Sequence, residues 1–197
     1  RHPIAPVAFW MAMGGPVSRE ERTLPEPLEA DQYADGPLED PPTPVYFRAS
    51  ATRFSTPWYF STTGIGRFDL VGVYRDGEPW GSCYLASDEI GALREKTAKS
   101  HVPGVPMGRE YFEGLLMWRL DRVQALKAAD LLDDGWDSLG ITNELFDCDY
   151  HLAQKYAATL FKHFEGLRVR LRHLVHPSRW GFVYFGPAVD AASGPAF

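Results

Sequence analysis

Proline decides where regular structure can form in this chain. Pro3, Pro6, Pro16, Pro25, Pro27, Pro37, Pro41, Pro42 and Pro44 all fall in the first 44 of 197 residues. Each removes a backbone donor and fixes φ, so no long helix or central strand can run through this stretch. Glu20, Glu21, Glu26, Glu29, Asp31, Asp35, Glu39 and Asp40 make the same stretch acidic. Residues 1–44 therefore read as a Pro-rich acidic N-terminal extension, either a linker or an arm packed on the rest of the chain. Phe9, Trp10 and Met11 favour the arm, because large apolar groups are wasteful in a free linker. Regular elements are expected from Val45 onward, as one domain over 45–190 with a tail over 191–197.

The pattern after Val45 alternates strands with helices. Val45-Tyr46-Phe47-Arg48-Ala49 is β-branched and aromatic and ends at a polar loop. Residues 50–67 are rich in Ser, Thr and Gly, a loop that can approach a ligand closely at Gly64 and Gly66. Residues 68–73 read as a strand, Asp76-Gly77 as a turn, and 81–86 as the next strand. Ser87 reads as the N-cap of a helix running to about Lys99, with Ile90, Leu93 and Thr97 as its apolar stripe. A Pro/Gly loop over 101–109 comes next, then a buried strand over 114–120, a short helix over 123–132 and a connector over 136–141. Thr142 opens a long helix ended by Gly166. Residues 167–173 and 180–185 supply the last strands. Six or seven strands and three helices make an α+β chain, and no G-x-G-x-x-G follows a strand, which argues against a Rossmann arrangement.

Charge narrows the function classes. The chain carries a net −6, where a nucleic-acid binder of this size is usually basic. Nucleic acid is therefore not expected as a partner, whereas an anionic small molecule needs only a few local arginines. No apolar run approaches the roughly 20 residues of a membrane helix, and 9–13 is too short an apolar stretch for a signal peptide. Cys83 and Cys148 have no metal-ligand spacing and read as reduced thiols of a cytoplasmic protein. The histidines form no H-E-x-x-H or similar set, so no metal is expected.

Four residues stand out as a set. Arg48 ends the first strand, and Arg67 lies 19 residues on in Gly64-Ile65-Gly66-Arg67-Phe68-Asp69. An isolated arginine is usually a surface residue or half of an ion pair. Two near one glycine-rich loop can flank a pyrophosphate, which the planar guanidinium grips better than lysine does. Tyr84, in Ser82-Cys83-Tyr84-Leu85-Ala86, is either a core aromatic or a flat platform for a base. Glu95, 11 residues after Tyr84, is followed by Lys96 and Lys99 and reads either as an exposed helix residue or as a catalytic carboxylate. Trp58, Tyr59 and Phe60 form either a pocket wall or a core plug.

These segments, in this order and spacing from about Val45 to about Phe185, resemble the RES domain family. The resemblance implies an ADP-ribosyltransferase-like split β-sandwich with flanking helices, and an enzyme that consumes NAD+ as substrate. It implies that Arg48 and Arg67 hold the dinucleotide, that nicotinamide stacks near Tyr84, and that Glu95 stabilises the cationic ribose; Tyr59 and Trp58 join the binding set if their cluster walls the pocket. Arg48, Tyr84 and Glu95 would be the catalytic group. The resemblance further implies a bacterial toxin with a cognate antitoxin protein as partner. Water, phosphate or a protein side chain could each be the acceptor.

One element departs from the family pattern. Where the family has Tyr-Arg-Ser-Arg, this chain has Val169-Arg170-Leu171-Arg172, so the family serine is Leu171. Another hydroxyl could substitute, with Ser178, Ser55, Thr56, Ser61 and Thr62 as candidates. Alternatively the serine is dispensable here, or the domain is a nucleotide- or protein-binding module without turnover. A nuclease-type toxin is the weakest reading, given the acidic charge and the lack of a His/Lys/Asp cluster.

Overall fold

The structure is a computed structural model that describes residues 24–39, 45–97, 108–122, 125–171 and 179–188. The arm expected at 9–11, the loop at 101–107, the helix end at Lys99, Ser178 and the 191–197 tail lie outside the described residues.

The strands are β1 (Leu38–Glu39), β2 (Val45–Ala51), β3 (Tyr74–Arg75), β4 (Glu78–Ala86), β5 (Leu115–Asp121), β6 (Ala128–Asp130), β7 (Gly166–Arg170) and β8 (Trp180–Pro187). The α-helices are α1 (Glu89–Thr97), α2 (Arg109–Glu113) and α3 (Tyr150–Leu160). The sheet runs in the order β1-β6-β7-β8-β4-β2-β5, with β3 paired to β4 off that path. Every pairing is antiparallel except β6 with β7. The architecture is α+β, as expected.

The sheet splits at one place. β4 pairs with β8 from Trp80 to Ala86, and β2 pairs with β5 from Val45 to Ala51. Between β2 and β4 only Phe47 and Ala86 are in register. Around β8 both faces of the sheet are buried. Trp180, Phe182 and Tyr184 of β8 join Tyr46, Trp58, Phe60 and Leu85 on one side. Val183 and Phe185 join Leu167, Val169 and the Tyr156 and Leu160 side chains of α3 on the other. Successive strand side chains alternate between faces, so a strand covered on both reads as the unbroken apolar run seen at 180–185.

Several expected elements are different in the structure. Residues 68–73 form no strand: Asp69 is fully buried among loop donors and Gly72 takes a positive φ of 66°, which breaks any ladder. The 123–132 helix is replaced by β6, which pairs with Leu38–Glu39 on one side and with residues 166–168 of β7 on the other. Such long-range pairing overrides local helical preference. The strand expected to be buried at 114–120 is the sheet edge, with Leu116 and Met117 exposed and Leu120 buried. The long helix begins later than Thr142. A 3-10 turn covers Asn143–Phe146, and Asp149 caps α3 by accepting from His151 N at 2.7 Å. Gly166 does not end that helix. It opens β7, where a Cβ would stand 2.6 Å from the Phe182 ring.

Helix α1 also departs in detail. Asp88, not Ser87, caps it: Asp88 Oδ1 accepts from Gly91 N at 2.6 Å. Ser87 instead ties the strand end to β8, its Oγ accepting from Trp180 N at 3.2 Å. Ile90 is 49% exposed, and the packed face is Gly91, Ala92 and Thr97. Small residues let the helix lie close on the sheet, and Glu95 is half-buried beside them.

Part of the N-terminal extension is an arm rather than a linker. Leu24 and Tyr33 are buried in the α3 core, Tyr156 donates to Pro25 O at 3.0 Å, and Lys155 meets Glu26 at 2.8 Å. The folded unit thus includes residues well before Val45.

Candidate active site

The gap between β2 and β4 opens into a cavity of about 470 Å³. That is within the roughly 300–1,000 Å³ typical of small-molecule sites. Arg48 comes from β2, Tyr84 from β4, Glu95 from α1, and Arg67 and Tyr59 from the long loop between β2 and β3. All five line this cavity, as does Leu171 just past β7. Trp58 does not line it. It is 4% exposed, stacked on Phe60 with ring centroids 6.4 Å apart, and plugs the core. The aromatic cluster is therefore divided, with Tyr59 at the cavity wall and its neighbours inside.

Both arginines are held by neutral groups. Arg48 is half-buried. Its Nη1 donates to the Cys83 sulfur, and Nη1 and Nη2 both donate to Tyr59 O at 3.3 Å. Cys83 is fully buried, and burial pushes its thiol pKa up, so the sulfur is a neutral acceptor. Arg67 Nη1 donates to Cys148 O at 2.6 Å and Leu145 O at 3.3 Å, and its guanidinium lies 4.6 Å over the Tyr150 ring. Neither arginine meets a carboxylate among the described residues. Arg168 and Arg179 contrast with them, each paired with an aspartate, at 2.9 and 2.7 Å. A half-buried cation held by dipoles alone keeps its charge available to an anionic ligand.

Asp69 organises the loop that carries Arg67. Its Oδ2 accepts from Ser61 Oγ at 2.7 Å and Gly66 N at 3.0 Å, and its Oδ1 accepts from Tyr84 OH at 2.9 Å. Tyr84 OH in turn accepts from Phe68 N at 2.9 Å. Burial, and then the Asp69 charge, push the Tyr84 hydroxyl well above the ordinary tyrosine value. The hydroxyl is thus spoken for within the protein, and the ring is fixed as a cavity wall. Gly66 is required where it stands, since a Cβ there would lie 2.4 Å from both Asp69 Oδ1 and Tyr84 OH.

Leu171 packs rather than hydrogen-bonds. It is 4% exposed and clusters with Ala86 and Ala92. A Cβ on Gly91 would stand 2.8 Å from its Cδ1, and one on Gly181 2.9 Å from its Cδ2. Leucine therefore supports the helix that carries Glu95 by filling the space beneath it. Of the candidate hydroxyls, Ser61 lines the cavity but donates to Asp69. Thr56 lines a smaller adjoining pocket, and Ser55 and Thr62 line neither.

Lys96, Arg170, Asp69 and Tyr150 also line the cavity, and sequence reasoning gave none of them a role. Asp69 lay in view in the Gly64–Asp69 stretch, where an acid following a glycine-rich turn is a recognisable loop-organising signal. Among the described residues the cavity's charged groups are the cations Arg48, Arg67, Lys96 and Arg170 against the acids Asp69 and Glu95, a net positive lining in a chain of net −6.

No family model and no curated protein sequence matches the chain. Among solved structures, a chain of the M. tuberculosis MbcT–MbcA toxin–antitoxin complex is similar, with a TM-score of 0.53 and 18% sequence identity. The match covers 77% of this chain and 78% of that one. Likeness at this identity shows a common α+β fold.

Proposed function

We propose that this chain is an NAD+-consuming enzyme that cleaves the nicotinamide–ribose bond. The observation that carries the proposal is the convergence, in one cavity, of a carboxylate on an adjacent helix and two arginines that, among the described residues, are held only by neutral groups. Arg48 and Arg67 bind the pyrophosphate, whose two negative charges supply the counter-charge both lack. The Tyr84 ring, fixed through Asp69, walls the nicotinamide end. As the C–N bond breaks, its electron pair leaves with nicotinamide, which becomes neutral, and positive charge grows on the ribose. Glu95 stabilises that charge and accepts from ribose hydroxyls, by the electrostatic logic of glycoside cleavage. The acceptor then bonds to the ribose carbon and loses its proton. Water makes the enzyme a glycohydrolase, phosphate a phosphorylase, and a protein side chain a transferase.

The fold shared with a chain of a toxin–antitoxin complex supports the biological reading, a bacterial toxin restrained by a cognate antitoxin protein. Chromatography of nicotinamide released from NAD+ by the purified chain, with and without phosphate, tests the chemistry. Release is expected, and its phosphate dependence names the acceptor.

Leu171 favours a second reading, a nucleotide-binding module without turnover, because a buried leucine offers no hydrogen bond where the family has serine. Under that reading Arg48→Ala weakens NAD+ binding while no nicotinamide is released by the parent chain.

A further inference from the structure

A second, smaller pocket of about 230 Å³ adjoins the main cavity. Arg48, Ala49, Tyr59 and Lys96 border both, so the two spaces share one wall. The small pocket is completed by Ser50, Arg53, Phe54 and Thr56. Among the described residues its charged groups are Arg48, Arg53 and Lys96, three cations with no acid, in a chain whose net charge is −6.

The three cations come from different elements. Arg48 and Ser50 are on β2, Arg53 lies just past the strand end, and Lys96 is on α1 next to Glu95. Arg53 is braced by the Phe54 ring, its guanidinium 5.0 Å from the centroid, and the Phe54 and Tyr59 rings pack at 5.7 Å. Ser50 is buried, and its Oγ accepts from the Trp118 indole at 2.8 Å, which leaves its O–H to donate. Like charges gathered without a counter-charge repel one another, and a bound anion reverses that cost. The volume is below that of drug-sized sites, so it suits a single compact group rather than a second nucleotide.

We propose that this pocket is a subsite for a phosphate group, read by Arg53 and Lys96 with Arg48 between it and the main cavity. It rests on the NAD+ reading only where the phosphate is carried by the dinucleotide. The group is either a phosphomonoester on that nucleotide, as in NADP+, or free orthophosphate.

Calorimetric titration at constant ionic strength separates these sources, using NADP+, NAD+ and sodium phosphate on the parent chain, Arg53→Ala and Arg53→Glu. Arg53 is exposed and outside the proposed catalytic group, so the NAD+ affinity of Arg53→Ala is expected to match that of the parent. If the phosphate arrives on the nucleotide, NADP+ binds about tenfold tighter than NAD+, the preference disappears in Arg53→Ala, and it reverses in Arg53→Glu. If it arrives free, NADP+ and NAD+ bind alike, while orthophosphate binds the parent and loses about tenfold in Arg53→Ala. The proposal is overturned if no phosphate-bearing ligand shows an affinity that depends on residue 53. A chain that binds orthophosphate through Arg53 but fails to bind NAD+ would keep the subsite and sink the NAD+ reading. NAD+ binding in which neither NADP+ nor orthophosphate affinity depends on residue 53 would do the opposite.

Discussion

The Tyr84 hydroxyl donates to Asp69 Oδ1 at 2.9 Å, a bond that helps to join the sheet to the loop that carries Arg67. Asp69 is fully buried and gathers donors from Ser61, Gly66 N and Tyr84. Asp69→Asn removes the charge and places an amide donor among donors. The expected loss is about 1–3 kcal/mol of folding stability, read as a lower urea midpoint. Weaker NAD+ binding is expected in the same variant, since the loop that holds Arg67 loosens. An unchanged midpoint would mean that Asp69 does not organise the loop.

The same contact gives stability an alkaline limb. Burial and Asp69 keep the Tyr84 proton on in the folded chain above the ordinary tyrosine value of about 10. Tyr156, pushed up to about 12 chiefly by burial, acts in the same direction. Above about pH 10 the unfolded chain binds fewer protons than the folded one, so stability falls as pH rises. Below that value the contribution is fully present. Denaturant midpoints are expected to be flat up to about pH 9 and to fall from about pH 10. Tyr84→Phe is expected to make that fall shallower.

Arg67 is set by geometry that lysine cannot copy. Its guanidinium bonds two carbonyls and lies over the Tyr150 ring at once. Arg67→Lys keeps the charge but loses the planar fork and the stacking. NAD+ affinity is expected to fall about tenfold, measured by calorimetry. Retained affinity would show that charge alone suffices there.

Leu171 is expected to act through packing. Leu171→Ala removes a buried side chain lodged against Gly91 and Gly181 and should cost about 2–5 kcal/mol. Leu171→Ser should destabilise the fold comparably without raising nicotinamide release. A serine variant with faster release would show that a hydroxyl is needed at this position.

Arg48, Tyr84 and Glu95 were legible because they lie on patterned segments, whereas Arg67 and Tyr59 stand on the long loop between β2 and β3. Val45–Ala51 carries Val45, Tyr46 and Phe47, Glu78–Ala86 carries Trp80 and Tyr84, and α1 opens with Glu89 just after the capping Asp88. The strand β6 was not legible, since Ala128–Asp130 is a strand only because Leu38–Glu39 and residues 166–168 pair with it from far along the chain. The exposed edge at Leu115–Asp121 was hidden for the same reason: apolar composition does not say which strand comes last in the sheet. Residues 68–73 looked like a strand, but Asp69 is buried by the loop's own hydrogen bonds and Gly72 takes a positive φ. Trp58 and Tyr59 are adjacent in sequence yet part at the cavity wall, a division that only tertiary packing makes.

On the proposed mechanism Glu95 stabilises a cationic ribose during cleavage of NAD+. The direct measurement is the rate of nicotinamide release by the parent chain and by Glu95→Gln, with NAD+ affinity measured on the same preparations. Release by the parent is predicted, with a fall of about 10²–10³-fold in the glutamine variant, while affinity and the unfolding midpoint stay close to the parent values. Equal release by both chains, or none from the folded parent with and without phosphate, would contradict it.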